Sequence, residues 1–147
     1  MAQRRSLDNL LIVHVTDLSL IERMWPTIRP LLKPAVDCSN GCYEIDDVLE
    51  DLRFGKQELW VDCEPENTRQ INAAMTTMFD QYPRKKTLKV VFVGGRRMKK
   101  WLPEFIELVE RYAQRNGAQM LEGFFRPGWA RVWPGARISG VGLVKDL

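Results

Sequence analysis

The chain has 147 residues, 45% of them apolar and 28% charged, with a formal net charge of +3. That length suits one domain, residues 1–147, able to bury roughly two-thirds of its unfolded surface. The balance excludes a disordered, collagen-like or disulfide-scaffold chain. No apolar run approaches the roughly 18 residues of a membrane span, and Arg4 and Arg5 are followed too soon by Asp8 for a signal peptide. A soluble, cytoplasmic protein with no membrane partner is the expectation.

Residues 1–9 read as a loose start, and Leu10–Val15 as a first strand containing the single histidine, His14. A strand histidine is more often structural than catalytic. Asp17 is a good helix N-cap, with Leu18, Ile21 and Trp25 at helical spacing behind it. Pro26 and Pro30 predict that this helix breaks into short pieces ending near Pro34. Residues 35–42 read as a loop.

Tyr43–Phe54 reads as a second helix, with Ile45, Val48, Leu49 and Leu52 buried and Gly55 at its left-handed end. Gln57–Cys63 reads as a strand, with Leu59 and Val61 on one face and Trp60 on the other. Residues 64–67 form a turn, and Ile71–Phe79 a returning strand with helix as the competing reading. Asp80–Lys86 turns again around Pro83.

Thr87–Val93 is the clearest strand, nearly continuous in apolar residues as a central strand should be. Gly94-Gly95 ends it. Pro103 predicts the first turn of the next helix, whose stripe is Trp101, Phe105, Leu108 and Tyr112, closed by Asn116-Gly117. Ala118–Phe124 reads as a strand, Pro127–Trp133 as a short helical turn, and Ile138–Val144 as a last strand. The order β-α-α-β-β-β-α-β-α-β is a mixed α/β (α+β) plan: a central twisted mixed sheet in three layers.

Charge is segregated. From Gly41 to Glu66 there are nine acidic residues. From Gln81 to Leu102 there are eight basic residues and no acid. A basic run attracts phosphates, and it serves equally as a solvated face or as a contact with an acidic surface. Nucleic acid is the least fitting anion, because the only interleaved aromatics, Phe92 and Trp101, read as buried. Three cysteines, Cys38, Cys42 and Cys63, with one histidine make neither a disulfide framework nor a zinc site, so no metal is expected. Hydrolase, phosphate-loop and dinucleotide motifs are absent.

The element order, with Tyr43–Leu52, Gly55, Gln57–Val61, Val90–Gly95, Trp101-Leu102, Glu110, Ala113, Gly117 and Arg126-Pro127-Gly128-Trp129, resembles the GNAT (Gcn5-related N-acetyltransferase) fold. More closely, it resembles the small GNAT-like proteins of tailed phages. The resemblance implies an acetyl-CoA-dependent N-acetyltransferase whose partners are an acyl-CoA and an amine acceptor. The matching pyrophosphate-binding place is Val93, Gly94, Gly95, Arg96 and Arg97, with Lys99 and Lys100 adding charge. The family loop usually reads Gln/Arg-x-x-Gly-x-Gly/Ala, which this sequence does not. A tyrosine commonly protonates the leaving thiolate from the last helix, yet Tyr43, Tyr82 and Tyr112 all lie outside residues 127–135, where Trp129 and Trp133 stand. Glu122 and Asp80 are the catalytic carboxylate candidates, neither within a motif. The same departures leave a second function open: a non-catalytic phage protein of virion structure, assembly or host interaction, as a homo-oligomer or with phage or host proteins. It would act in the host cytoplasm or in the virion.

Overall fold

The structure, a computed structural model, describes residues 11–64 and 67–147. Its elements are β1 (Leu11–Val15), α1 (Leu18–Asp37), α2 (Ile45–Arg53), β2 (Glu58–Glu64), β3 (Asn67–Gln81), β4 (Lys86–Gly95), α3 (Met98–Arg115), β5 (Met120–Gly123) and α4 (Trp129–Val132). The five strands form one sheet in the order β1-β2-β3-β4-β5. Its first four strands run antiparallel, and β5 joins β4 in parallel after the α3 crossover. The mixed three-layer plan is as expected. Leu10 and the turn at Pro65-Glu66 lie outside the described residues.

Strand alternation divides the core in two. Leu59, Val61 and Cys63 face α1 and α2, joining Trp25, Ile28, Leu32, Val48 and Leu52. Trp60, Met75, Leu88 and Val90 face α3, joining Trp101, Phe105, Val109 and Trp133. The helical stripe read from the sequence is therefore core: Trp101 and Phe105 are buried, and Leu108 and Tyr112 pack partly buried against them. His14 stacks on Trp60 with ring centroids 4.3 Å apart. The Trp60 indole N–H donates to Thr77 Oγ1, whose hydroxyl donates to Glu58.

Three elements depart most from the sequence reading, and other ends shift by a few residues. First, α1 is one 20-residue helix with Pro26, Pro30 and Pro34 inside it. The prolines recur every fourth residue and are all exposed, so they share one outer face. The carbonyls they leave without N–H donors lie toward water, while Ile21, Met24, Trp25, Ile28, Leu32 and Val36 anchor the opposite face. The Asp17 cap is as read: its carboxylate accepts the Ser19 N–H at 2.9 Å. Second, α3 starts at Met98, so Pro103 sits inside the helix rather than in its first turn. The carbonyl this frees belongs to exposed Lys99.

Third, Ile138–Val144 is not a strand; residues 137–147 have no regular structure. A strand needs a hydrogen-bonded neighbour, and this segment has none among the described residues. Gly140 and Gly142 further weaken its intrinsic preference. By contrast, β3 settles the ambiguous Ile71–Phe79 as strand. It lies between β2 and β4, and Tyr82 N–H donates to the Lys85 carbonyl at 2.8 Å to close the next hairpin.

Candidate functional site

A β-bulge in β4 shapes the site. Thr77 stands opposite Val90 and Thr76 opposite Phe92, so Val91 has no counterpart on β3. A bulge bends its strand and reverses which face later residues occupy. Leu88 and Val90 accordingly point to α3, while Phe92 packs with α1 and α2. At the same level the ladder to β5 stops: its last pair is Val90 with Gly123. Beyond this fork, β4 runs on through Val91–Gly95 with no strand paired on that side among the described residues. The open edge is about 17 Å long at about 3.3 Å per residue.

The fork ends at the predicted loop. Val93 is partly buried in the α3-side core. Gly94 lies tight against α1, where an added Cβ would stand 1.9 Å from the Leu31 carbonyl oxygen. Gly95 has φ +135°, and its Cβ would stand 2.4 Å from Ala73 Cα and from the Asn72 carbonyl oxygen. Both glycines are thus required by the protein's own packing. The Arg96 N–H donates to Asn72 O at 2.7 Å, and the Arg96 carbonyl accepts the Trp101 indole N–H at 2.7 Å. Arg97 takes the left-handed conformation (φ 65°, ψ 34°) that opens α3. Arg96, Arg97, Lys99 and Lys100 are exposed around the helix start. That terminus offers unpaired N–H groups and the positive end of the helix dipole.

Sequence reasoning missed the carboxylates behind this loop. Asp62 is fully buried on the Trp60 face of β2, paired in register with Ile12 and Ala73, and neither carboxylate oxygen has a hydrogen-bond partner among the described residues. Burial, reinforced by the Glu104 and Glu64 charges, pushes its pKa up to about 7, and Arg97 opposes that rise. Arg97 Nη1 lies 3.9 Å from Glu64 Oε1. The available signal was an aspartate on the Trp60 side of an otherwise apolar strand.

At the other end of the fork stand the two predicted carboxylates. Glu122 pairs in register with Lys89, one step before the last β4–β5 pair. Its Oε1 accepts the Tyr82 hydroxyl at 3.1 Å and its Oε2 the Thr87 hydroxyl at 2.6 Å. Asp80, opposite Thr87 on β3, binds Lys89 Nζ at 2.9 Å. Tyr82 joins this group through the hairpin, although it is 40 residues from Glu122 in sequence. Hydrogen bonding to Glu122 raises the Tyr82 hydroxyl pKa. The structure therefore gathers Glu122, Asp80, Tyr82, Thr87 and Lys89 at the fork's apex, and the five residues Val93–Arg97 at its far end. Among the described residues, no three His, Cys, Asp or Glu side chains gather as a metal site.

No protein-family model matches the sequence, and no curated relative matches it. Solved structures do match the fold. An aminoglycoside acetyltransferase from an uncultured soil metagenomic sample, in complex with sisomicin, aligns with TM-score 0.67 and 12% identity, covering 97% of this chain and 99% of that one. Aminoglycoside N-acetyltransferase AAC(6')-Iy, in complex with CoA, aligns with TM-score 0.67 and 10% identity over 93% and 94% of the two chains. A GNAT family acetyltransferase from Staphylococcus aureus aligns with TM-score 0.64 and 11% identity over 95% and 99%. The fold is that of the GNAT acetyltransferases.

Proposed function

We propose that the chain is a single-domain, acyl-CoA-dependent N-acyltransferase of the phage-type GNAT-like group. The observation that carries this reading is the fork: an unpaired β4 edge with a cationic helix start at one end and a carboxylate at the other. An extended pantetheine arm fits such an edge, with its amide groups beside unpaired strand backbone. Arg96, Arg97, Lys99, Lys100 and the first N–H groups of α3 would hold the phosphates. The acyl-CoA supplies a thioester at the fork's apex, whose carbonyl an amine attacks, the C–N bond forming as the C–S bond breaks. Glu122, held by Thr87 and Tyr82, takes the proton the amine loses. The released thiolate takes a proton from water. Acetyl-CoA is the expected donor.

One observation favours a second reading, a non-catalytic phage protein acting in assembly or host contact. Gly94 and Gly95 pack against Leu31 and Ala73, and the Arg96 N–H is already bonded, so the loop has less free backbone for phosphates than the family loop. Thermal melting across an acetyl-CoA series separates the two. Ligand at one hundred times Kd stabilises by about 2.7 kcal/mol, a rise of several degrees for this length. A saturable rise, abolished by Arg96→Glu with Arg97→Glu, supports the transferase. No rise at millimolar acetyl-CoA rejects it and leaves the scaffold.

A further inference from the structure

The two faces of the fork's apex have different surroundings. Leu121 packs with the α3-side core, so Gly123, two residues on, presents the same face. Glu122, between them, turns the other way and meets Tyr82 and Thr87. A proton acceptor therefore stands on one face of the apex and a glycine on the other. The space beside that glycine is filled. A Cβ on Gly123 would stand 2.5 Å from Phe125 Cε2 and 2.8 Å from both Phe125 Cζ and the Val90 carbonyl oxygen. The Phe125 ring thus lies over the last β4–β5 pair, Val90 with Gly123. Trp129 and Trp133 back it, with ring centroids 4.8 Å and 6.1 Å away. Trp133 is buried edge-on against Phe105 of α3. Phe125, 37% exposed, is the outer ring of an aromatic wall whose inner end is core.

We infer, resting on the acyl-CoA reading of the fork, that the Phe125 ring sets the length of the acyl group the site accepts. The pantetheine arm takes the β4 edge. The acceptor amine takes the Glu122 face, because that carboxylate receives its proton. The α3 face is what remains for the acyl tail, and there the tail meets the Phe125 ring. A short group, acetyl or propionyl, fits in front of the ring, and longer chains are blocked by it. Gly123 belongs to the same device: any side chain at that position would push the ring off the apex. Removing the Phe125 ring opens the site toward Trp129 and leaves Trp133 and Phe105, the buried part of the wall, in place.

Calorimetric titration of the full chain with acetyl-, propionyl-, butyryl- and hexanoyl-CoA tests this without an acceptor. One methylene in an apolar pocket changes discrimination roughly 10- to 200-fold, so the wild type should bind hexanoyl-CoA about 100-fold more weakly than acetyl-CoA. Phe125→Ala should bring the two within about tenfold, by the same reasoning. Phe125→Leu keeps an apolar cover, serves if the alanine variant does not fold, and should admit butyryl-CoA. Phe124→Ala, at the neighbour that is 94% exposed, should keep the wild-type ranking. Equal wild-type affinity for acetyl- and hexanoyl-CoA, or a ranking unchanged in both Phe125 variants, would overturn the inference and leave the transferase reading standing. Binding of no CoA ester by any of these proteins would overturn both.

Discussion

Replacing Asp62 by asparagine should change how stability depends on pH. In the folded protein the carboxyl is fully buried, lacks hydrogen-bond partners among the described residues, and is subject to the Glu64 and Glu104 charges with Arg97 opposing them; its pKa rises from 3.8 to about 7. The folded state therefore holds this proton more tightly than the unfolded chain. The stabilisation from holding it is complete below the unfolded value near pH 4. It is lost as pH rises, and the loss is complete above about pH 7. A shift of roughly 3 pH units at about 1.4 kcal/mol each makes the loss about 4 kcal/mol. That corresponds to roughly 10 °C in Tm for this length. Asparagine has no such proton, so the variant lacks this contribution. Urea unfolding of both proteins from pH 4 to pH 8 gives the difference curve, in which titrations of the other groups cancel. The variant should gain about 4 kcal/mol on the wild type across that interval and then run parallel to it. A flat difference curve would refute the reasoning, because it would mean that Asp62 is charged and compensated in the fold.

Three further outcomes follow from the packing and the fork. Gly94→Ala places a methyl 1.9 Å from the Leu31 carbonyl oxygen, so α1 must move off the sheet; thermal unfolding should show a loss of about 3 kcal/mol. Pro30→Ala restores an N–H inside α1 at an exposed position. It should stabilise by about 1–2 kcal/mol in urea, the helical gain reduced by the freer unfolded chain. Glu122→Gln should slow acetyl transfer to a model polyamine by about 100-fold while the acetyl-CoA-induced rise in Tm persists; an unchanged rate would remove Glu122 from the mechanism.

Local chemistry was legible in the sequence wherever a residue's preference and its environment agree. Asp17 caps α1 because a carboxylate satisfies an N–H that any helix start leaves bare. Ile45, Val48, Leu49 and Leu52 form the buried face of α2 because 3.6-residue spacing leaves no other common face. Leu59 and Val61 oppose Trp60 because a strand alternates. The strand before Gly94 and the crossover after it follow from the same rules, and with them most of the element order.

Tertiary structure decided what depends on partners distant in sequence. Three prolines stop an isolated helix, but here their exposed face lets water serve the freed carbonyls while the opposite face packs on the sheet. Ile138–Val144 has strand composition, yet a strand exists only where a neighbour supplies hydrogen bonds. Gly94 and Gly95 look alike as ligand-loop glycines and as packing glycines, and only the approach of Leu31 and Ala73 distinguishes them. The bulge at Val91 depends on how β3 pairs with β4, so the fork it opens, and the meeting of Tyr82 with Glu122 at its apex, arise from register rather than from any residue's own preference.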